Sequence, residues 1–359
     1  MTPREDALAW LSGAGPRPAC LLDLTAWYRW HGRRGTLPAG WEGYSLAEIA
    51  SALGVPVWQV ARPWRSDFVG VECVRRVHEG ERTVAYRTVA GELEECWSLG
   101  PDEDWWQMEY PVKSVVDLPP AHALVAGRRY RLEPDEAAGQ LELVGDAGIL
   151  AYELPMRPYS DILHTLLGWS EGLLLWRGDG KTLLQKMLDV LEEKLQALVA
   201  QVAGLPGSVV LSPDNLDGRF ISPRVFREHL AGSYRRTADL LHAGGKRLVV
   251  HCGGPVGRLL PLLAEAGVDV VEGVAGPPQG DTALPDARAA AGPGLVLWGG
   301  IPQDVLLEAT SQEDFSSLVF EAARSARADP AVILGVADRV PAAADLGRLK
   351  ALAALIARA

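Results

Sequence analysis

The side chains able to do chemistry stand at the ends of short apolar runs. Leu248, Val249 and Val250 lead into His251 and Cys252, and Gly253 and Gly254 follow. Imidazole nitrogen and thiolate sulfur are natural zinc ligands, and a catalytic zinc takes three protein ligands and keeps one position open. Glu272, closing the next apolar run, offers a third donor. Adjacent residues of a strand point to opposite sides, so His251 and Cys252 share one metal only if the chain has already turned. Gly253 and Gly254 permit that turn. Without a metal, His251 reads as a core histidine satisfied by a carbonyl, and Cys252 as a small buried hydrophobe.

Other strand ends carry polar groups too. The run from residue 208 ends in Ser212, Pro213, Asp214 and Asn215, and the last apolar run ends in Ala337, Asp338 and Arg339. Asp338 and Asp214 are candidate general acids or bases beside His251, although each also stands where a helix or turn wants a cap. Asp23, Asn215, Trp298, Gln303 and Asp281 lie at the same kind of junction and are expected to meet substrate. Trp298 is the expected pocket wall.

The elements that must position these residues alternate regularly. Apolar strands are predicted over 208–212, 247–251, 268–272, 295–299 and 331–336. Helices follow near 222, 256–266, 283–291, 311–327 and 345–358. Ser222 and Pro223 form a good N-cap and first-turn pair. Such alternation means parallel βαβ units. A buried strand over 18–24 and two more at 141–144 and 149–154 bring the number to eight, which predicts a (β/α)8 TIM barrel. In that fold chemistry sits at the C-terminal strand ends, where the polar groups above lie. No G-x-G-x-x-G or G-x-x-x-x-G-K-[ST] motif opens a helix, so NAD and nucleotides are not expected.

Before residue 140 the pattern is irregular. A Trp-rich stretch carries Trp27, Trp30, Trp41, Trp58 and Trp64. Residues 71–78 and 82–90 alternate as a hairpin, with 92–97 continuing the sheet. A short helix is expected over 114–126 and a long one over 181–202. The whole of 1–359 reads as a single barrel domain, with 25–140 an N-terminal elaboration over the barrel mouth.

Composition narrows the class. The net charge of −11 argues against nucleic acid. The four cysteines form no C-x-x-C pair, which points to a reducing compartment. No apolar run approaches a membrane span, and the first residues carry Arg4, Glu5 and Asp6 rather than a signal sequence. A cytoplasmic protein without a membrane partner is expected.

Four segments carry a family resemblance: Val209-Val-Leu-Ser-Pro-Asp-Asn215, Ile221-Ser-Pro-Arg-Val-Phe226, Leu248-Val-Val-His-Cys-Gly-Gly254 and Leu297-Trp-Gly-Gly-Ile301. From about residue 150 onward they resemble the uroporphyrinogen decarboxylase superfamily. Glu109-Tyr-Pro-Val-Lys113 followed by Asp117 resembles its corrinoid-dependent methyltransferase branch. That resemblance implies methyl transfer between a small substrate and a corrinoid protein or similar carrier, with zinc as a metal cofactor and a homodimer as the assembly. In that branch zinc is held by a His-x-Cys strand end and a Cys at the last strand. Here Gly253 stands at the first Cys position, Cys252 falls one residue early, and Asp338 or its neighbours stand at the last. Glu272 resembles the Glu that ligates zinc in a distant barrel relative, cobalamin-independent methionine synthase, so the resemblance implies a mixed site of His251, Glu272 and Asp338, with Cys252 as a further candidate. The decarboxylases carry an Arg-rich N-terminal motif that Trp27-Tyr-Arg-Trp-His-Gly-Arg-Arg34 does not match. Two alternatives stand beside methyl transfer. One is a metal-free decarboxylase or lyase on a carboxylic acid, with Asp214 or Asp338 stabilising a cationic intermediate. The other is a barrel that binds a small molecule or corrinoid protein without catalysis.

Overall fold

The computed structural model describes residues 1–16, 18–101, 103–277 and 279–358. Among these, thirteen strands form: β1 (Val57–Ala61), β2 (Trp64–Phe68), β3 (Glu72–His78), β4 (Glu81–Thr88), β5 (Gly91–Leu99), β6 (Trp105–Glu109), β7 (Arg128–Leu132), β8 (Gly148–Glu153), β9 (Val209–Leu216), β10 (Arg247–Cys252), β11 (Val270–Val274), β12 (Val296–Ile301) and β13 (Val332–Val336). By internal contacts the chain divides into two compact units. One is Met1–Arg62, Pro134–Leu154 and Ala203–Ala359; the other is Pro63–Glu133 and Pro155–Val202.

The first unit is the barrel. Seven parallel strands pair in the order β1-β8-β9-β10-β11-β12-β13. The eighth stave is a short extended segment that makes only single bridges. Cys20 bridges Leu334 in β13 and Leu22 bridges Val57 in β1, which joins the two edges. The amide of Leu21 donates to the Leu334 carbonyl at 2.9 Å, and the amide of Leu334 donates to the Ala19 carbonyl at 3.0 Å. The ring of the (β/α)8 architecture is thus closed by backbone bonds.

One strand assignment is corrected. Residues 141–144 are not a strand; they end the helix Pro134–Val144. Pro134 at its start and Asp135 and Glu136 in its first turn are helix-start signals, and they outweigh the alternation of Leu141 and Leu143. The missing stave is β1, hidden in the Trp-rich stretch because Val-Trp-Gln-Val-Ala is too short to show a period. The other barrel strands fall where the apolar runs predict them, and the long helix spans Lys181–Ala203.

A layer of alternating residues fills the barrel. Leu21, Trp58, Ala151, Leu211, Val249, Val270 and Val296 belong to one buried cluster. The helix Pro3–Trp10 adds Ala7 and Trp10 to it. Because strand side chains alternate, this set fixes which residues of every strand look inward.

The second unit holds a four-stranded antiparallel sheet, β3-β4-β5-β6, and the antiparallel pair β2-β7. The hairpin expected at 71–90 is β3 and β4, with Gly80 at positive φ in its turn. Inside this unit, Glu95 is buried and accepts from the Tyr86 hydroxyl at 2.8 Å and the Gln107 amide at 2.9 Å. Arg128 pairs with Asp161, both well buried. Among the described residues no helix is long and apolar enough to cross a membrane.

Candidate active site

Alternation decides which strand-end residues meet. Inward Val249 is followed two residues on by His251, and inward Val270 by Glu272. Their strands are neighbours, and His251 is the register partner of Glu272. Register partners on parallel strands share a face, so the two side chains must lie side by side. His251 Nδ1 and the Glu272 carboxylate form a direct ion pair. On the other edge of the ring, Asp338 Oδ1 stands 3.7 Å from Nε2. Asp23 continues the inward series of Ala19 and Leu21, and its charge reaches both His251 and Glu272.

Electrostatics make this a proton-holding group. Burial alone would pull His251 down, but the Glu272 carboxylate and its bond, followed by Asp338 and Asp23, lift it to about 9. Glu272 is pushed up to about 7 by burial; His251 draws it back, while Asp338 and Asp23 push it further up. Asp23 is also raised, chiefly by burial, against the opposing bonds from Thr25 and the charge of Arg339. Three carboxyls around one imidazole cannot all be ionised cheaply, so the group keeps protons that solvent-exposed acids would release.

The remaining candidates separate into those that join this group and those that do not. Gln303 joins it: its side-chain amide donates to the Arg339 carbonyl at 2.8 Å and reaches Asp338 Oδ2 at 3.4 Å. Asn215 has a positive φ of 49° at the mouth, and its side chain covers Gly253 so closely that a Cβ there would overlap Asn215 Oδ1. The glycine is required by that close approach. Asp217 similarly covers Gly254.

Three expectations need correction, and a fourth residue, Asp281, is engaged by its own loop. Asp214 does not face His251. It lies on the outward parity of β9, fully buried, and accepts from Ser212 Oγ at 2.7 Å and from the hydroxyl of Tyr234 on the helix Ala231–Ala243. It ties strand to helix. Cys252 also points outward. Burial, with Glu272, Asp214 and Asp217 around it, holds its thiol well above the ordinary range. Trp298 is no pocket wall: it is 2 % exposed, gives its indole N–H to the Leu21 carbonyl at 2.9 Å, and packs edge-on against Trp58. Asp281 accepts from the amides of Val256 and Gly257 at 3.1 and 3.2 Å, so it pins the loop after β10.

The zinc expectation can be tested on the donors. The two ring nitrogens of an imidazole diverge, and Glu272 takes Nδ1 while Asp338 stands at Nε2. A metal on either nitrogen would meet only one of the two carboxylates there. Cys252 turns to the other side of its strand. Among the described residues no group of three or more His, Cys, Asp or Glu side chains is arranged to hold a metal ion. The donor set as built does not fit tetrahedral zinc, which needs at least three converging protein ligands.

Sequence reasoning missed two members of the site. Arg339 was noted only as a neighbour of Asp338, and its charge faces Asp23. Gln279 accepts from the Gln303 amide at 3.0 Å and donates to the Ala337 carbonyl at 3.3 Å. Only the three-dimensional closeness of the loops after β11, β12 and β13 reveals it.

Among curated proteins none matches the chain. Among the solved structures similar to it are two of one enzyme. They are D-psicose 3-epimerase with D-tagatose from Clostridium cellulolyticum H10, and D-psicose 3-epimerase in the presence of D-fructose. Each is 12 % identical, covers 62 % of this chain and 82 % of its own, and has a TM-score of 0.36. That likeness is too slight to speak to substrate. The family model described as Uroporphyrinogen decarboxylase (URO-D) matches residues 171–359, a stretch that holds β9 to β13 and with them His251, Glu272 and Asp338. The chain belongs to the uroporphyrinogen decarboxylase family.

Proposed function

We propose that this chain is a metal-independent decarboxylase or lyase of its family, acting on a small carboxylic acid by proton transfer through His251. The observation that carries this reading is the imidazole held between Glu272 at Nδ1 and Asp338 at Nε2, with its proton affinity lifted to about 9. A histidine so placed is charged at neutral pH and able to donate.

The step balances simply. The carbon that bears the carboxylate takes the proton from His251 Nε2 through a pair of the substrate's π electrons, which leaves a cation. The bond to the carboxylate then breaks, CO2 leaves without the electron pair, that pair neutralises the cation, and His251 regains a proton from solvent. Asp338, whose side chain is 40 % exposed, is placed to relay it. Asp23 and Asp338 favour an intermediate that carries positive charge on the substrate. Glu272 holds the imidazole's other nitrogen and fixes which face of the ring meets substrate.

Methyl transfer with a corrinoid protein is the rival. In its favour, His251 and Glu272, two of the donors the resemblance implies, do meet. Against it, the donors available to a metal do not converge.

The test is CO2 release from a panel of small aromatic and heteroaromatic carboxylic acids, with metal content measured on protein purified without chelator. Release that persists in metal-free enzyme and is lost in His251→Asn and Asp338→Asn supports the proposal. Stoichiometric zinc, lost in His251→Asn, together with demethylation of a methylcorrinoid overturns it in favour of methyl transfer. Tight carboxylate binding with no turnover overturns it in favour of a non-catalytic barrel.

A further inference from the structure

We propose that Gln279 is a positioning residue that holds Asp338 against His251; the inference rests on the acid–base reading above. Ile333 and Gly335 point inward on β13, so an extended continuation would turn Asp338 outward with Leu334 and Val336. Instead Asp338 has a φ of 71°, in the left-handed region. That turn breaks the alternation and brings its carboxylate to 3.7 Å from His251 Nε2.

A residue with a Cβ adopts such a backbone only where its surroundings impose it. Here the imposing bonds can be named. The Ala337 amide donates to the Ile301 carbonyl at 2.7 Å and the Val340 amide to the Asp23 carbonyl at 2.9 Å. Between those anchors the carbonyls on both sides of Asp338 are tied by side chains. Ala337 O accepts from Gln279 Nε2 at 3.3 Å, and Arg339 O accepts from Gln303 Nε2 at 2.8 Å. Gln279 Oε1 accepts from the Gln303 backbone amide at 3.0 Å. One glutamine thus grips the residue before Asp338 and also the backbone of the second glutamine. That second side chain grips Asp338 and the residue after it. Gln279 makes none of these bonds to His251, Glu272 or the Asp338 carboxylate. Its role is to set the turn from the neighbouring loop.

The test uses the full chain and needs no substrate. The His251 Cε1–H signal is assigned by its loss in His251→Asn and titrated by NMR. Asp338→Asn is expected to lower the midpoint by about half a pH unit or more, since it removes a facing anion. Gln279→Met keeps the side chain's length and deletes both polar contacts. It is expected to lower the midpoint comparably, and to add nothing in the Asp338→Asn background. If Gln279→Met does not fold, Gln279→Asn, one methylene too short to span both partners, carries the same measurement. A lower melting temperature with an unmoved midpoint means a merely structural role and overturns the inference alone. A midpoint that Asp338→Asn also fails to move overturns both the inference and the place of Asp338 in the proposed chemistry.

Discussion

His251 and Glu272 are register partners on adjacent parallel strands, and their ion pair follows from that register rather than from loop conformation. The pair stands on strand backbone, one level above the packed layer of Val249 and Val270. A buried pair of this kind makes stability depend on pH. Glu272 rises from 4.5 to about 7 and His251 from 6.5 to about 9. Both are raised, so between these limits the folded chain binds more protons than the unfolded chain. Stability is then fully present at low pH and lost as pH rises, first through the 4.5–7 window for Glu272 and then through 6.5–9 for His251.

A thermal melt series from pH 5 to pH 9 should therefore show a melting temperature that falls by roughly 5 °C or more. Glu272→Gln should flatten the lower half of that slope. It should also drop the His251 midpoint by more than about one unit, because burial then acts with less opposing charge. A melting temperature that rises across the range would sink this account.

Asp214 is expected to matter for folding and not for the site. Asp214→Ala removes the carboxylate that accepts from the buried hydroxyls of Ser212 and Tyr234, at a cost of about 2–4 kcal/mol. Chemical denaturation should show that loss while the His251 titration stays at its wild-type midpoint. A moved midpoint with unchanged stability would place Asp214 in the site after all.

Much of this was legible in the sequence, and the failures have separate causes. The apolar runs located six of the seven paired barrel strands, and the strand-end rule located His251, Glu272, Asp338 and Asp23. Parity along each strand carries the rest. With Val209 and Leu211 inward, Asp214 had to face outward, and with Val249 inward so did Cys252. Trp298 follows Val296 inward, yet nothing in one sequence says that the barrel is still filled at its level. That depends on Leu21 and Trp58, which lie far away in the chain. Asp338 is the reverse case. Parity sends it outward, and only a left-handed turn imposed by two distant glutamines brings it in.

That turn stores backbone strain, which a glycine would not feel. Asp338→Gly is expected to raise unfolding free energy by about 1 kcal/mol, or to be neutral once the carboxylate's contact with Gln303 is lost. It should also lower the His251 midpoint as Asp338→Asn does. Stability gained while the proton-holding group weakens is the signature of strain kept for function. Clear destabilisation by Asp338→Gly would mean the turn is not strained.

Gly335 and Trp298 give the sharpest steric test. A Cβ at Gly335 would overlap Trp298 Nε1 and come within 2.6 Å of the Leu21 carbonyl oxygen, which that indole nitrogen uses as its acceptor. Gly335→Ala must push the indole aside, break the bond to Leu21 and disturb the edge-on contact with Trp58. The cost should exceed about 3 kcal/mol, since overpacking and a lost buried hydrogen bond act together. Trp298→Leu alone should cost about 3 kcal/mol through the cavity it leaves. In the double variant the two should not add, because the smaller side chain makes room for the new methyl. Full additivity in urea unfolding would mean that Gly335 is required by the Leu21 backbone alone, and that Trp298 is not the side chain it was kept small to admit.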